Sequence, residues 1–418
     1  MPSPLITRAK ALLPDPGPAR ALTYASLIGS VGRGLFITVS VIYFHKSVGL
    51  SEVEVGLGMT LAACLGLFAG VPIGGWADRR GPRGIAVGFG VAAAVVDLGY
   101  LLVGDFIGFV VVAALVSVLG TGSHAARGAL IAGSVPPEQQ VRTRAYLRSV
   151  TNVGWTLGAP LAGIALQVDR REVYVALILV TVALYFTAAL MYLRVPALKP
   201  TPAAKKESRT LALRDKPYVA LTALNAVMTV HFQVFNVVIP LWVVSRTSAP
   251  AWMVSVLAVL NTTFIILLQV RVSRGSATIR GAARAQRNAG FLLFGACALY
   301  ALAADRSVGL AIAALCLGGL LHVFGELLHA AGGWGLSFDL APAHAQGQFQ
   351  GLYNTGFQIA EIIAPAALVA LVIGQGMRGW LILGAAFVAA GLAVPLAARW
   401  AERTRPAPLA LDEVVTAA

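Results

Sequence analysis

Gly74-Gly75-Trp76-Ala77-Asp78-Arg79-Arg80-Gly81-Pro82-Arg83 places four charges between two long apolar runs. A run of more than twenty residues precedes it and another follows at once. A charged connection this short makes the flanking segments adjacent antiparallel helices. Its arginines set which side of a membrane it faces, because short loops rich in Lys and Arg stay on the cytoplasmic side.

The composition agrees. Of 418 residues, 58% are hydrophobic and only 12% charged, whereas a soluble domain carries about 25% charged residues. A spanning helix needs about 20 apolar residues, so the chain has room for roughly twelve. Membrane-barrel strands are about 10 residues of alternating polarity; the runs here are longer and do not alternate. The net charge of +14 reads as the positive-inside bias, and no nucleic-acid partner is expected. Cys64, Cys297 and Cys316 all lie in apolar runs and read as small hydrophobes. The polar residues 1–18 lack the apolar core of a signal peptide, so the first apolar segment is expected to remain in the mature protein.

Apolar runs predict helices over residues 21–44, 53–77, 84–103, 107–134, 145–166 and 174–193, then 218–244, 252–272, 289–304, 308–340, 349–373 and 380–398. The expected fold is an all-α integral membrane protein of twelve transmembrane helices in two six-helix halves. Residues 1–195 form the first bundle, 196–217 a basic linker, 218–405 the second bundle and 406–418 a tail. Most of the 32 Lys and Arg fall on one side if both termini are cytoplasmic. A monomer in the inner (plasma) membrane, in contact with lipid, is expected.

The halves carry a repeat. Pro136-Pro137-Glu138-Gln139-Gln140 precedes the fifth helix, with Tyr146 near its start and Pro160 inside. Ala341-Pro342-Ala343-His344 precedes the eleventh, with Tyr353 and Pro365 in matching places. Two such halves are expected to be related by an axis along the membrane normal, with a cavity between them.

The opening segment resembles the loop signature of the major facilitator superfamily between its second and third helices. Gly74, Asp78, Arg79, Gly81 and Arg83 match; Pro82 departs where arginine is common. Gly74 permits close helix approach. Asp78 can accept from the N-terminus of a neighbouring helix or pair with a basic residue. The resemblance implies alternating access, with this segment as a gate on the cytoplasmic side. Gly154-Trp155-Thr156-Leu157-Gly158-Ala159-Pro160 looks like the superfamily's antiporter motif, associated with export, although Ala159 replaces the usual glycine. The resemblance is to the twelve-helix drug:proton antiporters and covers the whole chain. A mid-helix arginine of the fourth helix is missing; Arg127 is the nearest and reads as a gate residue.

Ionisable side chains inside spanning helices are costly and mark function. Glu326 lies near the middle of the tenth helix, with His322 and His329 one turn away on either side. Apolar surroundings disfavour a charged carboxyl, which makes Glu326 the first candidate for proton coupling and Glu361 the second. A structural carboxyl paired with a fixed arginine is the plainer alternative. Arg33 in the first helix cannot shed its charge; it pairs with Glu326 or Glu361 or binds an anionic substrate group, and it points away from a cationic drug. Asn225, His231, Gln233 and Asn236 in the seventh helix, together with His322, are expected to line the cavity. No nucleophile–base pair or metal-ligand spacing appears, so neither enzyme activity, a cofactor nor a metal is expected. The expected function is proton-coupled export of small amphipathic molecules or drugs. The alternatives are an importer or facilitator of a small, possibly anionic metabolite or peptide, and a non-transporting receptor.

Overall fold

In a computed structural model, the described residues are 14, 16–168, 170–198 and 210–404. The basic stretch of the linker at Lys199, Lys205, Lys206 and Arg209, and the 406–418 tail, lie outside them.

Among the described residues the chain forms twelve long helical segments. They are α1 (Pro18–Tyr43), α2 in two pieces (α2a, Glu52–Leu67; α2b, Gly70–Arg80), α3 (Pro82–Asp97), α4 (Phe106–Ser134), α5 (Pro137–Leu166) and α6 (Arg171–Met191). After the linker come α7 (Lys216–Arg246), α8 (Met253–Val272), α9 (Ile279–Leu302), α10 (Val308–Asp339), α11 (Gln346–Leu368) and α12 (Met377–Thr404). Nine of these are long and apolar enough to cross a membrane alone, and the α2 pieces, bent by 45°, do so as a pair. The remaining two, α5 and α9, start with arginine-rich turns such as Arg142, Arg144 and Arg148 or Arg280, Arg284 and Arg287. The outer surface is apolar: Phe68 is 77% exposed, Leu102 89% and Leu267 68%. A soluble monomer does not present such patches; this is a multi-pass membrane protein.

The helices begin and end differently from the hydropathy pattern in three places. The predicted single helix over 53–77 breaks at Phe68–Ala69. The helix predicted from 145 starts at Pro137, and the one predicted from 289 starts at Ile279. Hydropathy stops where charge begins, but helical hydrogen bonding continues past the apolar core into the polar interface. Pro82 is explained by its position: it opens α3, where a missing N–H costs nothing. Gly81 before it has φ +95°, a conformation that side chains resist.

The two halves follow one packing scheme. α1 packs on α5 and α6 while α7 packs on α11 and α12; α3 packs on α4 and α6 while α9 packs on α10 and α12; α2a packs on α4 while α8 packs on α10. The turns repeat in atomic detail. Gln140 donates its amide to the carbonyls of Ala132 (2.9 Å) and Val135 (3.3 Å) at the end of α4. Gln346 donates to Phe338 (3.2 Å) and Ala341 (2.8 Å) at the end of α10. Each side chain satisfies carbonyls that a helix end leaves open.

Between the halves, α2b and α4 pack on α11, and α5 packs on α8 and α10. The α2–α11 contact is backbone on backbone at the basic end. A Cβ at Gly74 would overlap the Gly347 carbonyl, and one at Gly351 would overlap the Gly70 carbonyl. Three π-helical stretches, Phe44–Val48 after α1, Val234–Val238 within α7 and Val369–Ile373 after α11, lie toward the opposite end.

Candidate functional site

At the basic end, Asp78 at the foot of α2b accepts from the backbone N–H of Gly347 (2.6 Å) and Gln348 (3.1 Å). These are open donors of the first turn of α11. Arg79 is exposed, and Arg83 donates to the Val195 carbonyl at 3.1 Å, joining α3 to the segment after α6. Arg144 donates to Gln350 on α11 at 3.3 Å and lies over the Phe338 ring.

Halfway along the bundle the halves meet twice more. Gln358 on α11 donates to Thr121 on α4 at 2.9 Å. Arg148 on α5 donates to Glu326 Oε1 on α10, and Asn261 on α8 donates to Glu326 Oε2 at 2.8 Å. Glu326 is buried, and the Arg148 guanidinium sits over the Phe232 ring of α7. Glu326 therefore has the arginine that the sequence leaves open, and it is Arg148, not Arg33. Arg148 went unrecognised because a helix read from 145 puts it at the interface. From Pro137 it is eleven residues in, about 16 Å along the axis.

Arg33 faces Glu361. Each is fifteen residues into its helix (18 to 33 and 346 to 361), about 22 Å from the basic end. On α11, Gly347, Gly351, Asn354, Gln358 and Glu361 recur at helical spacing and form one face; Gly347, Gly351 and Gln358 of that face touch the first half. Arg33 is the charged group that acts on Glu361, and both side chains are exposed. Trp155 lies beside Arg33, with the guanidinium 6.0 Å from its ring. On α4, His124 is exposed and accepts from Arg127 at 3.1 Å; Arg33, Arg127 and Arg144 all act on it. The Nε atoms of Arg127 and Arg144 are buried without a hydrogen-bond partner. Each mid-depth carboxylate thus has one arginine acting on it, Arg148 on Glu326 and Arg33 on Glu361, while Arg33, Arg127 and Arg144 surround His124.

The seventh helix divides the residues expected to line a cavity. Asn236 is exposed and Gln233 half-buried. Asn225 is instead buried and accepts from Tyr353 at 2.6 Å. His231 is fully buried beside His322, with ring centroids 5.3 Å apart. Asn225, His231 and His322 are therefore buried within the second half in this conformation and do not line an open cavity. Periodicity alone did not reveal it, because which face of α7 points inward is decided by α10 and α11. Gly154 and Gly158 are buried against α1: a Cβ at Gly158 would overlap the Val31 carbonyl, and one at Gly154 would lie 2.6 Å from Ser30 Cβ. Pro160 follows on the exposed side of α5.

A sequence profile described as the Major Facilitator Superfamily matches residues 22–365. No curated protein sequence matches the chain. Among solved structures, a bacterial homologue of the iron transporter ferroportin in an outward-facing state is similar at 14% identity and TM-score 0.73, covering 92% of this chain and 99% of that one. The human organic anion transporter MFSD10 is similar at 14% identity and TM-score 0.67, over 90% and 98% of the two chains. The Escherichia coli fucose:proton symporter is similar at 10% identity and TM-score 0.67, over 91% and 98%. At these identities the likeness is one of fold.

Proposed function

This chain belongs to the Major Facilitator Superfamily, a family of transporters, and we propose that it moves small amphipathic organic anions coupled to protons by alternating access. The observation that carries this reading is the pair Arg33 and Glu361, exposed at equal depth on opposite halves beside the Trp155 ring. A fixed guanidinium next to an aromatic face suits an aromatic or alkyl carboxylate. Glu361 is the proton carrier. Glu326 is fully committed to Arg148 and Asn261, so its role is to tie the halves together.

The basic end is the cytoplasmic end by the positive-inside rule, which puts both termini inside the plasma membrane. Asp78, the Gly74–Gly347 approach and the Arg148–Glu326 pair then close the cytoplasmic side, and the chain faces outward. While Glu361 is ionised it competes with the substrate anion for Arg33. Once protonated it leaves Arg33 free, so proton and anion load together. Charge complementarity thus favours co-transport.

Export in exchange for protons is the second reading. It is supported by the Gly154–Pro160 segment, whose glycines seat α5 directly on α1. In that case a neutral or cationic amphipathic molecule displaces the proton from Glu361.

The test is transport by the purified chain in proteoliposomes with an imposed pH gradient, using a panel of aromatic carboxylates and a panel of lipophilic cations. Gradient-driven accumulation of a carboxylate on the alkaline side supports co-transport, and movement of a cation against the proton flow supports exchange. Glu361→Gln should keep carboxylate binding and lose gradient-driven accumulation. Wild-type coupling in that variant removes Glu361 as the carrier.

A further inference from the structure

The second half holds a cluster in which Glu326, the carboxylate that ties the halves together, lies beside two histidines to which the transport cycle described above gives no role. His231 on α7 and His322 and Glu326 on α10 are all buried, and a ligand-type atom from each lies within 4.8 Å of the other two. Both ring nitrogens of His231 and Nε2 of His322 have no hydrogen-bond partner. Leaving three imidazole nitrogens dry and unpaired is costly, and native interiors rarely do so without a reason. His329 does not share the problem. It contacts Gln286 at 3.0 Å through Nδ1 and sits 5.1 Å ring-to-ring from His231, as a flanking group.

We propose that His231, His322 and Glu326 form a binding site for a divalent first-row transition ion such as Zn2+, Co2+ or Ni2+. Two imidazoles and one carboxylate are the donor set that such ions prefer over Mg2+ or Ca2+, which favour oxygen ligands. The donors come from two helices of one half, so the site moves with that half as a unit. In this structure the Glu326 carboxylate accepts from Arg148 through one oxygen and from Asn261 through the other. The Arg148 guanidinium and a divalent cation compete for the same carboxylate. The ion therefore binds best when α5 has moved away from α10, and its binding favours the conformation in which the cytoplasmic side is open.

The experiment uses the full-length chain, free of any affinity tag, in lipid nanodiscs. Co2+ is titrated in and followed by its visible ligand-field absorption, with Zn2+ as competitor. One Co2+ per chain is expected, displaced by Zn2+. His231→Gln and His322→Gln should each abolish the absorption, while His45→Ala, outside the cluster, should leave it intact. Arg148→Gln removes the cation that competes for the carboxylate and should tighten binding by about tenfold or more, about 1.4 kcal/mol. Absence of the band in the wild type overturns the proposal, as does a band of equal strength in the His231→Gln/His322→Gln double variant. Should the histidine variants not fold, as judged by gel filtration, Arg148→Gln decides alone: unchanged Co2+ affinity there overturns the proposal.

Discussion

The carboxylate of Asp78 caps a helix belonging to the other half of the chain: it accepts from the Gly347 N–H at 2.6 Å and, through its second oxygen, from Gln348 at 3.1 Å. A helix end thus has its open donors satisfied from across the interface. Hydrogen bonds to a charged group contribute about 1.5–3 kcal/mol each, and these exist only while the basic end is closed. Asp78→Asn should therefore shift the conformational equilibrium toward opening of that end by about one to two powers of ten. Spin labels at Arg80→Cys and Arg403→Cys would report it as a longer distance population; an unchanged distribution would refute the capping role.

Gly74 and Gly347 give a steric version of the same test. A methyl at Gly74 would overlap the Gly347 carbonyl, whereas Gly84 on α3 has open space around it. Gly74→Ala should abolish closure of the basic end and with it transport, at near-wild-type expression. Gly84→Ala is the matched control and should transport normally. Equal transport by both variants would show that the backbone approach is dispensable.

Removing one member of a buried ion pair leaves the other charge stranded, at a cost of about 3–5 kcal/mol. Arg148→Ala should accordingly lower the thermal midpoint of the chain in nanodiscs, as should Glu326→Gln to a lesser degree, because a neutral amide can keep its contact with Asn261. The double variant Arg148→Ala/Glu326→Gln should be less destabilised than the sum of the two. Additivity in that cycle would mean the pair is not coupled.

Substrate recognition is predicted to sit with Arg33. Arg33→Ala should raise the concentration of aromatic carboxylate needed for half-maximal thermal stabilisation by tenfold or more, about 1.4 kcal/mol. Arg33→Lys should recover part of it, since a point charge lacks the planar fork. Trp155→Leu should weaken aromatic more than aliphatic carboxylates. Indifference of binding to Arg33→Ala would move the substrate site elsewhere.

Gln140 and Gln346 hold corresponding turns, so their loss should be felt equally. Gln140→Ala and Gln346→Ala each remove a pair of amide-to-carbonyl bonds and should each cost about 1–3 kcal/mol. Chemical denaturation of the two variants is the measurement. A large loss for one and none for the other would break the equivalence of the halves.

Much of this was legible in the residues. The charged decapeptide announces two antiparallel spanning helices, and Asp78 does accept from a neighbouring helix N-terminus. The proline-marked repeat before α5 and α11 is the part of the sequence that the matching turns of Gln140 and Gln346 occupy. What was not legible depended on where charge sits relative to helix ends. Arg148 lies in a polar stretch that hydropathy assigns to the interface, yet the helix has already begun at Pro137 and carries it to mid-depth. The polar run of α7 was readable as functional but not as two faces, one holding Asn236 exposed and one burying His231. That distinction is made by packing between helices far apart in the chain. The juxtaposition of His231 and His322, 91 residues apart, leaves no local spacing to find.

The π-helical stretches at Phe44–Val48, Val234–Val238 and Val369–Ile373 give the two ends of the molecule different mechanical characters. A wide turn breaks the regular ladder and lets a helix bend or slip by one residue at little cost. One lies within α7 and the others directly follow α1 and α11, and all lie away from the Gly70–Gly351 and Gly74–Gly347 contacts of the basic end. The basic end can only dock or separate as flat, rigid faces, like a door against its frame. The opposite mouth has compliant tips on three helices and can seal by curling them inward around cargo of varied shape. One protein would then pair an exacting inner seal with a forgiving outer one, so tolerance for different cargoes resides in the helix tips more than in the frame.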